Sequence, residues 1–201
     1  MATTQIEIFS EAPAAPPARP RVLLMGTALA TAAATMVILA LVALYSQMRA
    51  DVIAGGKTWL PEKADLQLIP GNMGLATLVM SLVTVAWIAY SLRNDDRVHS
   101  LLAFGLSLLL GAAYINMVVF GWQQLGLGIN DSPQALMIYT ITGLHVAMTG
   151  VGLAFLGVMA FRALGGQLTG RAAEGMNAAV LYWYMTVGAY AVVWYAITIT
   201  K

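Results

Sequence analysis

The chain is 201 residues long, 60% of them hydrophobic and only 9% charged, with a formal net charge of +1 and a mean hydropathy of +0.77. A soluble domain carries roughly a quarter charged residues, so this composition excludes a water-facing globule and points to one integral membrane domain. The near-zero charge excludes a nucleic-acid surface, and the lack of cysteine excludes disulfides, Fe–S clusters, thiolate metal sites and covalently attached haem.

Residues 1–21 read as a flexible cytoplasmic tail ending in EAPAAPPARPR, a Pro/Ala-rich segment that cannot pack a core. The apolar run behind it, about 26 residues, is too long for the h-region of a cleaved signal. It reads as a retained helix anchored by Arg19 and Arg21. Residues 22–201 then read as a five-helix membrane domain with spans at 22–48, 73–92, 101–127, 135–161 and 176–200. Each is near or above the ~20 residues that cross ~30 Å of hydrocarbon. Pro70-Gly71-Asn72 marks the start of the second span, and Ser132-Pro133 supplies a cap and first turn for the fourth. A soluble bundle would show one polar face per helix, whereas these spans are apolar all round. The expected fold class is an all-α polytopic membrane protein with five transmembrane helices.

The basic residues set its orientation. The tail side holds Arg19, Arg21, Arg93, Arg97, Arg162 and Arg171, six in all; the other side holds four, Arg49, Lys57, Lys63 and Lys201. That excess predicts a cytoplasmic N-terminus and an outside C-terminus. The connection RADVIAGGKTWLPEKADLQLIP is the longest, and Trp59 within it is expected at the membrane interface.

All nine acidic residues are expected in the tail or in connections, and no Lys or Arg lies within a span. Ion pathways and proton relays mark themselves with intramembrane ionisable groups, so the pattern argues against a pump or coupled transporter acting alone. A channel lined by backbone or hydroxyls stays open. His145 is the exception, about ten residues into the fourth span. His99 lies at the start of the third, roughly 15 Å away in depth at 1.5 Å per residue, too far to share a metal or a bis-His haem. His145 therefore reads as a neutral hydrogen-bonded residue at a helix–helix or subunit contact, with Thr142 or Thr149 nearby, and a haem-b anchor is the alternative. Gly143/Ala147 and Gly150/Ala154 place small residues four apart beside it, as close helix packing in lipid requires. Trp183 and Trp194, with Tyr182, Tyr184, Tyr190 and Tyr195, make the last span aromatic. Its middle rings are expected to face a lipid cleft or a partner subunit. No triad, phosphate loop, HExxH or carboxylate pair is present.

The ordered residues resemble a family. LVALYSQMR closes the first span; GGKTWLP follows, with Leu66 and Pro70; MSLVT carries Ser81 and Thr84; LRNDDR and LGAAY come next. YTITGLH supplies Gly143 and His145 of a Thr-Gly-x-His signature, and YWY…VVW ends the series. From about Leu39 onward the chain is similar to subunit III of the haem–copper terminal oxidases, in the short bacterial form with five helices rather than seven. It departs from that family in lacking acids in ATAAATMVILA and LGAAYINM, in holding Met148 where a second histidine stands, and in a last span without the family's His and Asp.

The resemblance implies an accessory, non-catalytic subunit in a bacterial cytoplasmic membrane. Such a subunit binds no haem, copper or other cofactor itself, packs beside the catalytic subunit I and subunit II, and holds phospholipid. Ser81, Thr84 and His145 are then packing and hydrogen-bonding positions; the helix-packing reading adds Thr142, Gly143 and Gly150, with Trp59, Trp183 and Trp194 as candidate lipid or partner contacts. A stand-alone small-solute channel or transporter and a haem-b anchor are the alternatives.

Overall fold

The computed structural model describes residues 21–168 and 173–200. The tail expected over 1–21 lies outside the described residues except for Arg21, as do Arg171 and Lys201. Among the described residues there is no strand. Five helices, each long and apolar enough to cross a membrane, run as α1 (Val22–Ala54), α2 (Leu68–Arg93), α3 (Arg97–Gln124), α4 (Pro133–Leu164) and α5 (Ala173–Trp194), the last closing in a π-helical turn (Tyr195–Ile199). The bundle end where α1 begins is called proximal here, the other end distal.

α5 is the hub, packing against α1, α2 and α4, while α3 lies against α2 and α4. The core of the bundle holds Trp183, Tyr45, Tyr114, Phe104, Ile38 and Leu78, all essentially without exposed surface. Close approach around Trp183 depends on two glycines. A Cβ on Gly111 would lie 2.5 Å from Leu153 Cδ2 and 2.8 Å from Trp183 Cη2; one on Gly152 would lie 3.0 Å from Trp183 Cε3. The indole is thus clamped between α3 and α4 by missing side chains.

The helix ends follow local chemistry. Ser132 accepts from the Ala135 amide at 3.1 Å with Pro133 in the first turn of α4, a side-chain cap for an otherwise orphaned donor. Pro70 falls inside the first turn of α2 rather than at its start, where its missing N–H costs nothing. α1, of 33 residues, is ~50 Å long and overruns the apolar stretch, so Asp51 sits in its last turn rather than in a connection. Glu174 likewise lies in the first turn of α5. There its carboxylate accepts from the Leu24 amide at 3.1 Å, so one negative group serves the positive ends of two helices. The reciprocal tie is Arg97, whose guanidinium donates to the Leu164 carbonyl at the end of α4. Both ties lie at the proximal end.

The distal connection is docked on the bundle. Trp59 donates to the Tyr45 hydroxyl at 2.9 Å, with the two rings edge to face at 5.2 Å. The Asp65 amide donates to the Leu125 carbonyl at 3.2 Å. Gly126, at φ +70°, lets the Lys63 carbonyl approach to 2.8 Å of where a Cβ would sit. At the last helix end, Ala196, Ile197 and Thr198 of the π-turn are buried. Thr198 faces Gly71 so closely that a Cβ there would meet its Oγ1 at 2.7 Å.

Two outcomes are expected. Gly111→Val overpacks the Trp183 clamp and lowers stability by roughly 1–3 kcal/mol, read as a drop in thermal midpoint in detergent. At the α2–α3 turn, the Asp96 carboxyl is held below its usual range, chiefly by the hydrogen bond from the His99 amide. A depressed value contributes stability above the ordinary carboxylate range that is lost as pH falls through the lowered value. Amide exchange at His99 should therefore accelerate, relative to its intrinsic rate, on acidification through that window. In Asp96→Asn this pH step should be absent.

Candidate functional site

Several polar groups of the spans meet one another inside the bundle. His145, without exposed surface on α4, reaches two neighbouring helices. Its Nε2 lies 2.9 Å from the Thr186 carbonyl of α5, and its Nδ1 2.7 Å from the Tyr114 hydroxyl of α3. A carbonyl only accepts, so Nε2 carries the hydrogen, and Nδ1 of the neutral ring accepts from Tyr114. The Tyr114 ring meets the imidazole edge-on at 5.4 Å, and Tyr190 packs on both, at 5.0 Å from His145 and 4.8 Å from Tyr114. Thr149 donates to the His145 carbonyl within its own helix, and Thr142 accepts from Trp122 while donating to Ile138. The partners of the imidazole ring are therefore Tyr114 and Thr186, while Thr149, expected nearby, bonds to the backbone of the same histidine.

A second set of bonds lies alongside. Trp183 donates to Ser81 Oγ at 2.8 Å, and Ser81 passes its own proton to the Leu78 carbonyl at 2.5 Å. Thr84 Oγ1 sits 2.7 Å from Ser107 Oγ, joining α2 to α3. Tyr182 donates to the Met148 carbonyl at 2.9 Å, joining α5 to α4. Four helices are thus pinned by side-chain bonds in a region where an unmade one costs several kcal/mol.

Two expectations for the aromatic residues are corrected. Trp183 is wholly enclosed, its ring between Gly111 and Gly152 and its N–H on Ser81, so it offers no surface to lipid or a partner. Trp59 is 5% exposed beneath the distal connection rather than anchored in an interface. Trp194 is half-buried and donates to the Asn72 side chain at 2.9 Å. Of the small residues, Gly143 comes only within 4.0 Å of Trp122 and Gly150 has nothing within 4 Å. The tight glycine of α4 is Gly152. Tyr114 and Ser107 escaped the sequence reading. Their signal was the i, i+4, i+7 row Ser107, Gly111, Tyr114 on α3.

Among the described residues no three His, Cys, Asp or Glu side chains come together as a metal site. Both nitrogens of His145 are already committed. His99 stands apart at the proximal surface, its Nδ1 2.7 Å from Asp96 and its ring 6.0 Å from Trp87.

What this arrangement can do is hold helices together. Residues 19–200 match the family model for cytochrome c oxidase subunit III. The chain belongs to that family. Among its relatives, a probable cytochrome c oxidase subunit 3 of Rickettsia conorii is 30% identical over 109 residues, 53% of this chain and 38% of the relative. The cytochrome c oxidase subunit 3 of Bos taurus is 28% identical over 112 residues, 56% of this chain and 43% of the relative. The matched stretch spans only about two fifths of these curated relatives. Within the subunit III family, then, this member places its Thr-Gly-x-His histidine inside its own bundle, bonded on both sides.

Truncating that histidine tests the arrangement. His145→Leu strands the buried Tyr114 hydroxyl and should cost roughly 1–3 kcal/mol. Adding Tyr114→Phe removes the stranded group, so the double variant should melt above the sum of the two single losses. Strict additivity in thermal midpoints would sink the proposed bond.

Proposed function

We propose that the chain is a non-catalytic accessory subunit of a respiratory haem–copper oxidase, a complex that passes electrons to oxygen while moving protons. In this reading haem and copper reside in partner chains, subunits I and II, and this chain supports their assembly and stability together with bound phospholipid. The membrane is the bacterial cytoplasmic membrane, with the proximal end of the bundle inside, as the six-to-four excess of basic residues favours. Residues 22–201 act as one membrane domain. Ser81, Thr84, Thr142 and His145 serve as its internal hydrogen-bonding positions, and of Trp59, Trp183 and Trp194 it is Trp194 that keeps surface to meet lipid at the distal edge.

The observation that carries this reading, beside membership of the family, is the committed state of His145. An imidazole bonded on one side to Tyr114 and on the other to Thr186 has a packing role and no lone pair to spare. A haem-b anchor would need one of those bonds broken. A stand-alone channel or transporter would need a polar path, whereas the hydroxyls of Ser81, Thr84, Ser107, Thr149 and Thr186 satisfy one another or carbonyls of their own helices.

Purification in mild detergent with subunit identification and a visible spectrum tests the proposal. The chain should travel with a much larger haem–copper subunit. His145→Leu should lower the yield of that complex while leaving the haem content per catalytic subunit unchanged. Loss of haem in the variant would turn the reading towards ligation, and solute flux through the isolated chain towards a channel.

A further inference from the structure

One face of α3 is left open by the bundle and is not purely apolar. Gly105, Leu109, Ala112, Asn116 and Val119 all point outward, spaced four, three, four and three residues apart. That is the 3.5-residue repeat by which one helix lies along another with a left-handed crossing. The spacing covers ~21 Å of helix. Gly105 has nothing within 4 Å of where its Cβ would be, and Ala112 is as small as a side chain can be, so a second helix can come close.

Asn116 says what covers this face. It lies only ~8 Å along the axis from the middle of α3 at 1.5 Å per residue, well inside a hydrocarbon slab of about 30 Å. Its amide is exposed and bonds to nothing among the described residues. Thr77 and Thr140 differ in this respect, since each donates to a carbonyl of its own helix. Acyl chains offer an amide no partner, and the cost of an unsatisfied one there is several kcal/mol. The group therefore calls for a polar side chain on a neighbouring helix at the same depth.

We propose that this face pairs with the same face of a second copy of the chain, about a two-fold axis normal to the membrane. All copies share one orientation in the bilayer, so the axis sets the two Asn116 side chains level with each other. Each amide both donates and accepts, so the two satisfy one another. An isologous contact of this kind needs complementarity of one surface only. A different partner would have to present a matching group at that depth independently. The pairing does not depend on the accessory-subunit reading.

The chain has no cysteine, which makes the test direct. Ala112→Cys is introduced in the full chain, in native membranes holding the whole complex, and oxidised; Val158→Cys, outward on α4 and 54% exposed, serves as control. The expected result is a disulfide-linked species of twice the chain's mass, containing this chain alone, from Ala112→Cys and not from Val158→Cys. Adding Asn116→Leu to Ala112→Cys should cut that yield about five-fold or more, and Asn116→Gln should retain it. Linkage no greater than the control, linkage to a different subunit, or indifference to Asn116→Leu would each overturn the pairing. Co-purification of a haem-bearing subunit is scored separately, so the two readings fail independently.

Discussion

In hydrocarbon there is no water to take back a hydrogen bond, and the interior of this bundle is organised around that constraint. Tyr114, His145 and Thr186 join α3, α4 and α5, and Trp183 with Ser81 joins α5 to α2. Each bond has direction and length, so together they fix helix rotation and depth, which dispersion between smooth apolar surfaces leaves loosely set. The glycines at 111 and 152 follow from this. They bring the backbones near enough for an indole to reach across to a serine on another helix.

Such an interior suits a subunit whose work is to be a well-defined neighbour. Many polar groups are spent inside, Asn116 being an exception, and the large hydrophobics that face outward are mostly Leu, Val and Met. Charge is kept at the ends, where Glu174 and Arg97 tie α5 to α1 and α3 to α4. These end ties use helix dipoles, so they gain strength near the low-dielectric slab without a charge entering it.

The sequence disclosed the five spans because length and unbroken apolarity are local properties. Ser132-Pro133 was legible for the same reason, since a cap and its first turn are adjacent in the chain. His145 stood out as the sole ionisable group in a long apolar stretch other than tyrosines. Its partners did not, because Tyr114 and Thr186 lie 31 and 41 residues away in sequence and nothing local connects them. The fate of Trp183 was hidden likewise. An indole among apolar residues reads equally well as facing lipid or core, and only the two glycines on other helices decide it. Helix ends were misjudged where apolarity and helicity part company, at Asp51 and Glu174, which continue or begin a helix beyond the hydrophobic stretch. The pairing of small residues was drawn at Gly143 and Gly150, whereas geometry turns α4 so that Gly152 makes the contact.

The π-turn at Tyr195–Ile199 carries one further consequence. A π-turn accommodates one residue more than regular α winding allows, and here that surplus holds Thr198 over Gly71. Loss of the codon for Tyr195, Ala196 or Ile197 would let the backbone relax into ordinary winding and swing the threonine about a quarter-turn aside. The fit of Thr198 on Gly71 therefore depends on the number of residues in this short piece as well as on their identity.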